Sequence, residues 1–459
     1  MDLKVGLQRL EEMTANTSQA AKNLSLLFDD GSFTELDKFV KNNDDKCDVI
    51  TAYGMIDGIT AFAFAGNSGK DGAMGKVAAA KICKVYEMAR KVGAPVIGIY
   101  NSDGAHIEEG IEALEAYASV ASAAAEISGV VPQISVVSGN CVGAAAVLAS
   151  TADIVLMRKD ASLYVTAGTI LGNDSVGSSE VAAKNGTVAY VYETDEEAFE
   201  KVAEIITYLP ANNLSSPGFA EYLPSNIEIK DLSAENVISS LCDGNSFCEL
   251  YKEYAIGAKV GFARINGMAI GVIATDTDGE KLSAKDSSKI ARFVRFCDAF
   301  SLPVVTFLNS TGIMGDLEDE LSGGVKYVSQ LLHSYAEATT AKIAVITGAA
   351  VGSAYMALAS KATGTDSVFA WPNAYISALE PKTYVEFLGK EKLAEGKTRE
   401  EIAEEYISGE ASAFAAAEKG FVEDIIAPEF TSSKLAMALD LLSSKRISTL
   451  PKKHSNIQL

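Results

Sequence analysis

The chain has 459 residues, of which 48% are apolar and 8% aromatic, so it has enough material for two or three folded domains. This composition excludes a disordered or collagen-like protein. The formal net charge is −22, and such a surface repels phosphate backbones and anionic lipid, which argues against nucleic acid or a membrane surface as a partner. The six cysteines form no C-x-x-C pair, so a zinc ribbon is not indicated. The amino terminus lacks the apolar run of a signal peptide, and we expect a cytoplasmic chain.

The first half of the chain is repeated in the second half. Four segments recur in the same order, each displaced by 207 to 209 residues: a hairpin, an apolar helix face, and two strands. The pairs are 54–65 with 261–272, 82–89 with 290–297, 93–101 with 301–309, and 134–139 with 343–348. We therefore predict two homologous α/β domains, 1–222 and 223–459, joined near 212–230, where Asn, Ser and Pro cluster.

Within each half the predicted elements run hairpin, helix, strand, helix, strand, helix. The strands predicted at 95–100, 132–138, 303–308 and 342–347 are short and rich in β-branched residues, as in a sheet covered on both faces. Ligands of open α/β folds bind beyond the carboxyl ends of such strands. We therefore look for function in the loops that follow residues 66, 100, 139, 276, 308 and 348.

Two of these loops are tight glycine turns that lead directly into helices of very small residues, at 139–146 and 348–355. The start of a helix carries unpaired N–H groups and partial positive charge, and small side chains let a carbonyl oxygen approach the backbone. These are the requirements of an oxyanion hole, which stabilises an enolate without an ionisable side chain. The alternative is that the small residues only permit close packing of the helix on the sheet.

Three other features are weaker candidates. His106 ends a strand and is either a general base or an ordinary solvated loop residue. Cys141 lies inside the first glycine turn without an apparent His partner, which favours a buried filler over a nucleophile. The glycine-rich stretch 66–76 precedes a helix and is a weak candidate for a phosphate cradle.

Taken together, segments from about residue 27 to the end resemble the carboxyltransferase subunit of biotin-dependent acyl-CoA carboxylases, such as propionyl-CoA carboxylase β chains. The α subunits of related biotin-dependent acyl-CoA decarboxylases are similar as well. The matching segments include K-I-C-K (81–84), G-A-P-V-I-G (93–98), I-E-E-G (107–110), P-Q-I-S-V-V (132–137), Y-L-P-A-N-N (208–213), A-R-F-V-R-F-C-D-A-F (291–300), A-W-P (370–372) and the terminal L-P-K-K-H-S-N-I-Q-L.

The resemblance implies an α/β fold of two tandem crotonase-like (ClpP/crotonase) domains, with acyl-CoA bound mainly by the first and carboxybiotin mainly by the second. Carboxylate would move between them through a thioester enolate, with one backbone oxyanion hole for each ligand. The residues that match the two catalytic turns of the family are Gly143, Ala144 and Ala145, and Gly352, Ser353 and Ala354. The residues assigned to cofactor binding are Gly72, Ala73, Gly104, Ala105 and Met356.

The resemblance also implies partners. The chain has no A-M-K-M biotinylation site, so biotin would arrive on a separate biotin carboxyl carrier protein, loaded by a biotin carboxylase. We expect a homo-oligomer, with a hexamer as the expected ring, an acyl-CoA thioester as substrate, no resident metal and no nucleic acid partner.

Departures from the family pattern keep two alternatives open. The family's D-S-G-G-A-R is replaced by Asn101-Ser102-Asp103-Gly104-Ala105-His106, and its acidic residue after the second turn is replaced by Met356, which either helps to select the acyl chain or packs in the core. One alternative is the α subunit of a biotin-dependent, sodium-pumping decarboxylase, which has a membrane decarboxylase subunit as partner. The other is a non-catalytic scaffold paralogue.

Overall fold

The computed structural model describes residues 3–14, 18–42, 45–47, 49–66, 73–276, 280–313 and 316–457. The chain divides into two compact units, Met1–Ser216 and Pro217–Leu459, called unit 1 and unit 2 below. Within the described residues, no helix has both the length and the apolar character needed to cross a membrane.

Unit 1 is built from short strands that alternate with helices. Its strands are β1 (Thr34–Leu36), β2 (Lys41–Asn42), β3 (Asp45–Lys46), β4 (Val49–Ile56), β5 (Ile59–Gly66), β6 (Ala73–Met74), β7 (Val96–Ser102), β8 (Gly104–Ala105), β9 (Gln133–Val142), β10 (Ile154–Arg158), β11 (Ser162–Tyr164) and β12 (Tyr190–Tyr192). Its helices are α1 (Leu3–Thr14), α2 (Gln19–Leu27), α3 (Lys76–Val92), α4 (Ile111–Glu126), α5 (Ala144–Ala149), α6 (Gly168–Leu171), α7 (Ser179–Lys184) and α8 (Asp195–Tyr208).

Unit 2 repeats this succession. Its strands are β13 (Cys248–Leu250), β14 (Ala258–Ile265), β15 (Met268–Thr275), β16 (Lys281–Leu282), β17 (Val304–Ser310), β18 (Gly312–Ile313), β19 (Lys342–Val351), β20 (Ser367–Ala370), β21 (Tyr375–Ser377) and β22 (Asp424–Ile425). Its helices are α9 (Ala234–Leu241), α10 (Ala284–Ala299), α11 (Leu317–Leu321), α12 (Gly324–Glu337), α13 (Gly352–Leu358), α14 (Pro381–Leu388), α15 (Lys390–Ala394), α16 (Arg399–Ser408), α17 (Ala413–Glu418) and α18 (Thr431–Leu442).

The two main sheets have the same strand order. It is β1-β4-β5-β7-β9-β10-β12 in unit 1 and β13-β14-β15-β17-β19-β20-β22 in unit 2. In both, an antiparallel hairpin leads into parallel strands, and a further short strand, β11 or β21, pairs with the end of the long strand β9 or β19. A small parallel pair stands apart from each main sheet: β6 with β8, and β16 with β18. Pair by pair, the topology confirms the sequence repeat.

The hairpin turns form as predicted, but one anchor of the repeat is misaligned. Asp57 and Gly58 have φ of 48° and 74°, and Asn266 and Gly267 have 52° and 78°, the positive values that a tight two-residue hairpin turn requires. Measured from these turns the displacement is 209 residues, so Gly54 and Gly261, which are 207 apart, do not occupy equivalent positions. The glycines therefore matched by coincidence within two similar hairpins.

The predicted helix faces are buried. The apolar residues of α3 and α10 face the cores of their units, each less than a tenth exposed: Ile82, Val85, Tyr86, Ala89, Ile290, Phe293, Val294 and Cys297. α3 packs against α4, and α10 packs against α12. The start of α10 is fixed by a capping box between Ser283 and Asp286.

One buried lysine on each central helix ties that helix to the start of its hairpin. Lys81 donates to the carbonyl oxygen of Val49 at 2.9 Å, and Lys289, at the equivalent position of α10, donates to Tyr254 and Ala258 at 2.8 and 2.7 Å. Burial lowers the pKa of Lys289 to about 8. These hydrogen bonds satisfy carbonyl groups that would otherwise be desolvated without a partner.

Candidate functional site

The first glycine turn lies at the end of β9. Gly143 has φ of 61° and ψ of −128°, a conformation that residues other than glycine rarely adopt, and α5 begins at the next residue. The Gly143 N–H donates to the carbonyl oxygen of Tyr164 at 2.9 Å, which holds the turn against β11. Gly143 therefore supplies the turn geometry, while the amides of Ala144 and Ala145, in the first turn of α5, have no acceptor within the helix.

Other residues predicted for cofactor binding surround this turn. Ala73 pairs with Gly104, and Met74 pairs with Ala105, in the small sheet of β6 and β8. α5 packs against β8, and a Cβ placed on Gly104 would lie 3.3 Å from the carbonyl oxygen of Val142. The structure thus brings Ala73, Gly104 and Ala105 to the first turn. Gly72 lies outside the described residues.

The second turn has the same construction. Gly352 has φ of 55°, α13 begins there, and a Cβ on Gly352 would lie 3.5 Å from the carbonyl oxygen of Ala378. Gly352 and Ser353 are half-buried and Ala354 is buried, so the backbone can be approached from one side. The small sheet of β16 and β18 contributes Gly312 beside α13, as β8 does in unit 1.

Met356 is not a core residue. The packing alternative placed it facing the sheet, but it is 44% exposed on α13, and its counterpart Val147 on α5 is 52% exposed. Both lie within one helical turn of the small residues that begin their helices. Each exposed apolar side chain therefore flanks one of the two turns, because residues three or four apart share a helix face.

The thiol of Cys141 is unsuited to nucleophilic attack. Its side chain is fully buried in β9, two residues before Gly143, and burial raises the pKa of the thiol to about 12, so the reactive thiolate is scarce at neutral pH. The prediction of a buried filler is confirmed. Nearby, Tyr117 donates its hydroxyl to the carbonyl oxygen of Gly104 at 2.7 Å, and burial raises the pKa of Tyr117 to about 12, so the phenol stays protonated and holds β8 in place.

His106 follows β8 and is half-buried. Its backbone N–H donates to the carbonyl oxygen of Met74 at 3.2 Å, and its ring Nδ1 has no hydrogen-bond acceptor or donor among the described residues. The contact orders the loop after β8. The role of general base stays a prediction.

The start of α3 already holds an anion. The amide of Lys76 donates to a carboxylate oxygen of Glu109 at 2.7 Å, and in unit 2 the amide of Ala284 donates to Asp319 at 3.0 Å. A carboxylate at this position satisfies the positive end of the helix. A carboxylate therefore occupies this helix start in the structure, while residues 67–72 of the predicted phosphate cradle lie outside the described residues, so the cradle stays a prediction.

Some features of the site went unnoticed in the sequence. The segments in which β7 and β17 end read Asn-Ser-x-Gly in both units, at 101–104 and 309–312, and in each the serine hydroxyl contacts the backbone of the glycine. The shared Asn-Ser-x-Gly sequence directly continues the third repeated segment, 93–101 with 301–309, so the repeat itself could have revealed it. Gly312, the counterpart of Gly104, was missed because only the first unit was compared with the family motif.

Comparison with known proteins gives a consistent result. The model of the carboxyl transferase domain family matches residues 12–457. The carboxyltransferase subunit of propionyl-CoA carboxylase from Haloferax mediterranei is 33% identical, with 96% of this chain and 93% of that protein covered. The α subunit of methylmalonyl-CoA decarboxylase from Propionigenium modestum is 32% identical, with 99% and 96% covered.

A solved structure extends the similarity to three dimensions. The transcarboxylase 12S hexamer, with hydrolysed methylmalonyl-coenzyme A bound, aligns with a TM-score of 0.89 at 29% identity, over 99% of this chain and 95% of that one. The fold is thus two tandem crotonase-like domains. The chain belongs to the carboxyl transferase domain family, and it is an enzyme of the acyl-CoA carboxyltransferase type.

Proposed function

We propose that this chain moves a carboxyl group between biotin, carried on a separate protein, and a short acyl-CoA. The acyl-CoA binds at the first turn, in unit 1, and biotin at the second turn, in unit 2. The observation that carries the proposal is the presence of two half-buried turns of the same construction, Gly143–Ala145 and Gly352–Ala354, in a repeated member of this family.

The first turn stabilises the negative charge that forms on the substrate. When the α-proton leaves an acyl-CoA, charge collects on the thioester oxygen. The amides of Ala144 and Ala145 donate to that oxygen, and Gly143 leaves the approach open because a Cβ there would contact nothing within 4 Å. Donors fixed in a helix backbone need no reorganisation during the reaction, which makes them effective.

The second turn fits the ureido oxygen of biotin. The ureido oxygen gains negative charge when the carboxyl group leaves, and the start of α13 offers the amides of Ser353 and Ala354 beside the small opening at Gly352. Carboxybiotin would supply the carboxyl group as carbon dioxide, its freed ureido nitrogen would accept the α-proton, and the enolate carbon would bond to the carbon dioxide. Neither turn requires an ionisable side chain, which agrees with the high pKa of Cys141.

Space near the first turn favours a short acyl group. A cavity of about 20 Å³ lies behind Ala145, lined mainly by apolar side chains that include Phe64, Met74 and Leu148. This volume holds roughly one water-sized group. A long acyl chain does not fit there without displacement of the core.

The proposed assembly is a homo-oligomer, with a hexamer as the expected form, that meets a biotin carboxyl carrier protein. Both units expose apolar side chains in the segments that follow their site loops: Ile107, Ile111 and Leu114 in unit 1, and Leu317, Leu321 and Val325 in unit 2. Such clusters mark interaction surfaces. Light scattering at micromolar concentration should give a mass several times that of the 48.3 kDa chain, and a monomer would contradict this part of the proposal.

The direction of transfer has two candidates. Propionyl-CoA carboxylase and methylmalonyl-CoA decarboxylase subunits are similar to this chain at nearly the same identity, and the same two turns serve both directions. Co-purification with an ATP-dependent biotin carboxylase indicates carboxylation. Co-purification with a membrane decarboxylase subunit indicates decarboxylation.

The experiment that tests the proposal uses the purified full chain, a biotinylated carrier and several short thioesters. We expect transfer of labelled carboxylate to or from the carrier, together with binding of the thioester measured by calorimetry. If neither transfer nor binding occurs with any thioester, the non-catalytic scaffold is the better account.

A further inference from the structure

The long strand of each unit, β9 or β19, pairs on one edge with one strand along its earlier part and with a different strand just before the turn. In unit 2, the segment Ile343–Ile346 of β19 pairs with β20, whereas Ala349–Val351 pairs with β21. In unit 1, β9 moves in the same way from β10 to β11. The change of neighbour sets the direction in which the chain enters the turn.

A register shift, or β-bulge, lies at the same point of the long strand, on its other side. Leu308 of β17 pairs with Ile346, but Ser310 pairs with Ala350, so β19 advances four residues while β17 advances two. The same register shift separates Tyr100 from Ser102 on β7. A bulge leaves backbone groups without ladder partners, so other groups must bond to them.

Asn309 lies opposite the bulge of unit 2 and fills it. Its Oδ1 accepts the N–H of Ala349 at 2.9 Å, and its own backbone is fixed by two hydrogen bonds to the hydroxyl of Thr275, at 2.8 and 3.0 Å. The side chain is buried, so this hydrogen bond is shielded from water. A Cβ on Gly348 would overlap Asn309 Oδ1, which explains why glycine stands there.

Unit 1 repeats the asparagine and the glycine, although among the described residues the hydrogen bond from the next backbone amide to the side chain is formed only by Asn309. A Cβ on Gly139 would overlap Oδ1 of Asn101, which occupies the position on β7 that Asn309 occupies on β17. Each bulge glycine precedes its turn glycine by four residues, Gly139 before Gly143 and Gly348 before Gly352. The same contact between asparagine and glycine therefore lies immediately before both turns.

We propose that Asn101 and Asn309 are positioning residues that set the placement of the two oxyanion turns. They act through the bulge and do not touch the ligands. The proposal rests on the function proposed above, since it concerns the placement of donors for the thioester and for biotin. Misplacement of a reacting group by about 1 Å costs on the order of 100-fold in rate, so a loosened bulge has a measurable effect.

The test compares Asn101→Ala and Asn309→Ala with wild type in carboxyl exchange between malonyl-CoA and free biotin. Asn185→Ala is the matched control, because Asn185 Oδ1 also accepts a backbone N–H, from Thr187 at 2.9 Å, at an exposed site outside both turns. We expect the kcat per CoA-binding site to fall by about 10- to 100-fold in Asn101→Ala and in Asn309→Ala. The KM for biotin should rise in Asn309→Ala, and the KM for malonyl-CoA in Asn101→Ala.

A merely structural role predicts a smaller active fraction with both KM values unchanged, and that result would overturn the proposal. Asn309→Asp keeps an acceptor oxygen and should recover part of the lost kcat. Hydrogen exchange in the wild-type chain gives an answer that depends neither on activity nor on the folding of a variant. The Ala349 amide should be strongly protected from exchange by its hydrogen bond to Asn309. Rapid exchange of this amide would refute the positioning role of Asn309. If the wild type shows no carboxyl exchange, the proposed function fails. The protection of the Ala349 amide still decides whether Asn309 holds the backbone before the second turn.

Discussion

The substitution Gly143→Val separates catalysis from packing at the first turn. Gly143 has φ of 61° and ψ of −128°, so a β-branched residue there is strained by about 1–3 kcal/mol. A Cβ would meet no atom within 4 Å, so no clash at Cβ adds to this strain, and a domain with typical stability of about 5–15 kcal/mol stays folded. The valine side chain extends into the open space that the thioester oxygen must enter.

The expected loss of carboxyl transfer is larger than the loss of stability. Removal of one oxyanion donor typically lowers turnover by roughly 100- to 1000-fold, or about 2.7–4 kcal/mol. The assay is label transfer from biotin to a short acyl-CoA, with folding followed by circular dichroism and thermal unfolding. The chain offers a matched control in Gly110, which caps α4 with φ of 55° and ψ of −124° and would also place a Cβ in open space.

Gly110→Val should therefore lose a similar amount of stability while transfer stays close to wild type. Unchanged turnover in folded Gly143→Val would show that the turn only packs. Equal loss of transfer in both variants would show that strain, and not access to the donors, limits the reaction.

Three further predictions concern other residues. Met356→Asp and Met356→Ala should change the ratio of kcat/KM between two- and three-carbon acyl-CoAs, with one methylene worth about 1–3 kcal/mol; an unchanged ratio in active variants would assign selection elsewhere. Cys141→Ala should keep near-wild-type transfer, since burial raises the pKa of this thiol to about 12; a loss exceeding the change in stability would contradict the filler role. Although burial raises the pKa of Glu337, its bonds to Lys452 and its ion pair with Arg295 lower the value to about 2. Its stabilisation is therefore present above about pH 4.3, the value of an unperturbed Glu, and is lost as pH falls toward 2, so the gap in melting temperature between wild type and Glu337→Gln should close over that range.

Local patterns made much of the fold predictable. The Asp57-Gly58 and Asn266-Gly267 turns depend on backbone preferences of two residues, and the buried face of α3 follows from helical spacing, so both could be read directly from the sequence. The repeat predicted that the two units share one topology, and their equal strand order agrees with it, although the order itself was not predicted.

Features that depend on distant contacts were not predictable. The bulge opposite Asn309 exists because an amide oxygen 40 positions away replaces a ladder bond of Ala349, and no local pattern encodes that pairing. Lys289 is a charged residue within a predicted core helix, and only the carbonyl groups that surround it explain its burial. Helices α14 to α16 have no counterpart of similar length in unit 1, so the repeat gave no guide to them.

The sequence left the exposure of Met356 open for a related reason. In helices that cover a sheet, an apolar residue usually faces the core, which made packing an alternative for Met356. Only seven residues form α13, and its first residues are occupied by the turn, so the face that carries Met356 stays open. The exposed face of α13 is therefore set by the turn at its start and not by the apolar stripe that usually faces a core.

The most direct measurement of the central claim is carboxyl exchange between malonyl-CoA or methylmalonyl-CoA and free biotin, catalysed by the purified chain. The two turns together predict exchange that saturates with both substrates and that falls by roughly 100-fold or more in Gly143→Val. Saturable binding of both ligands without exchange, or exchange that survives Gly143→Val in full, would contradict the account.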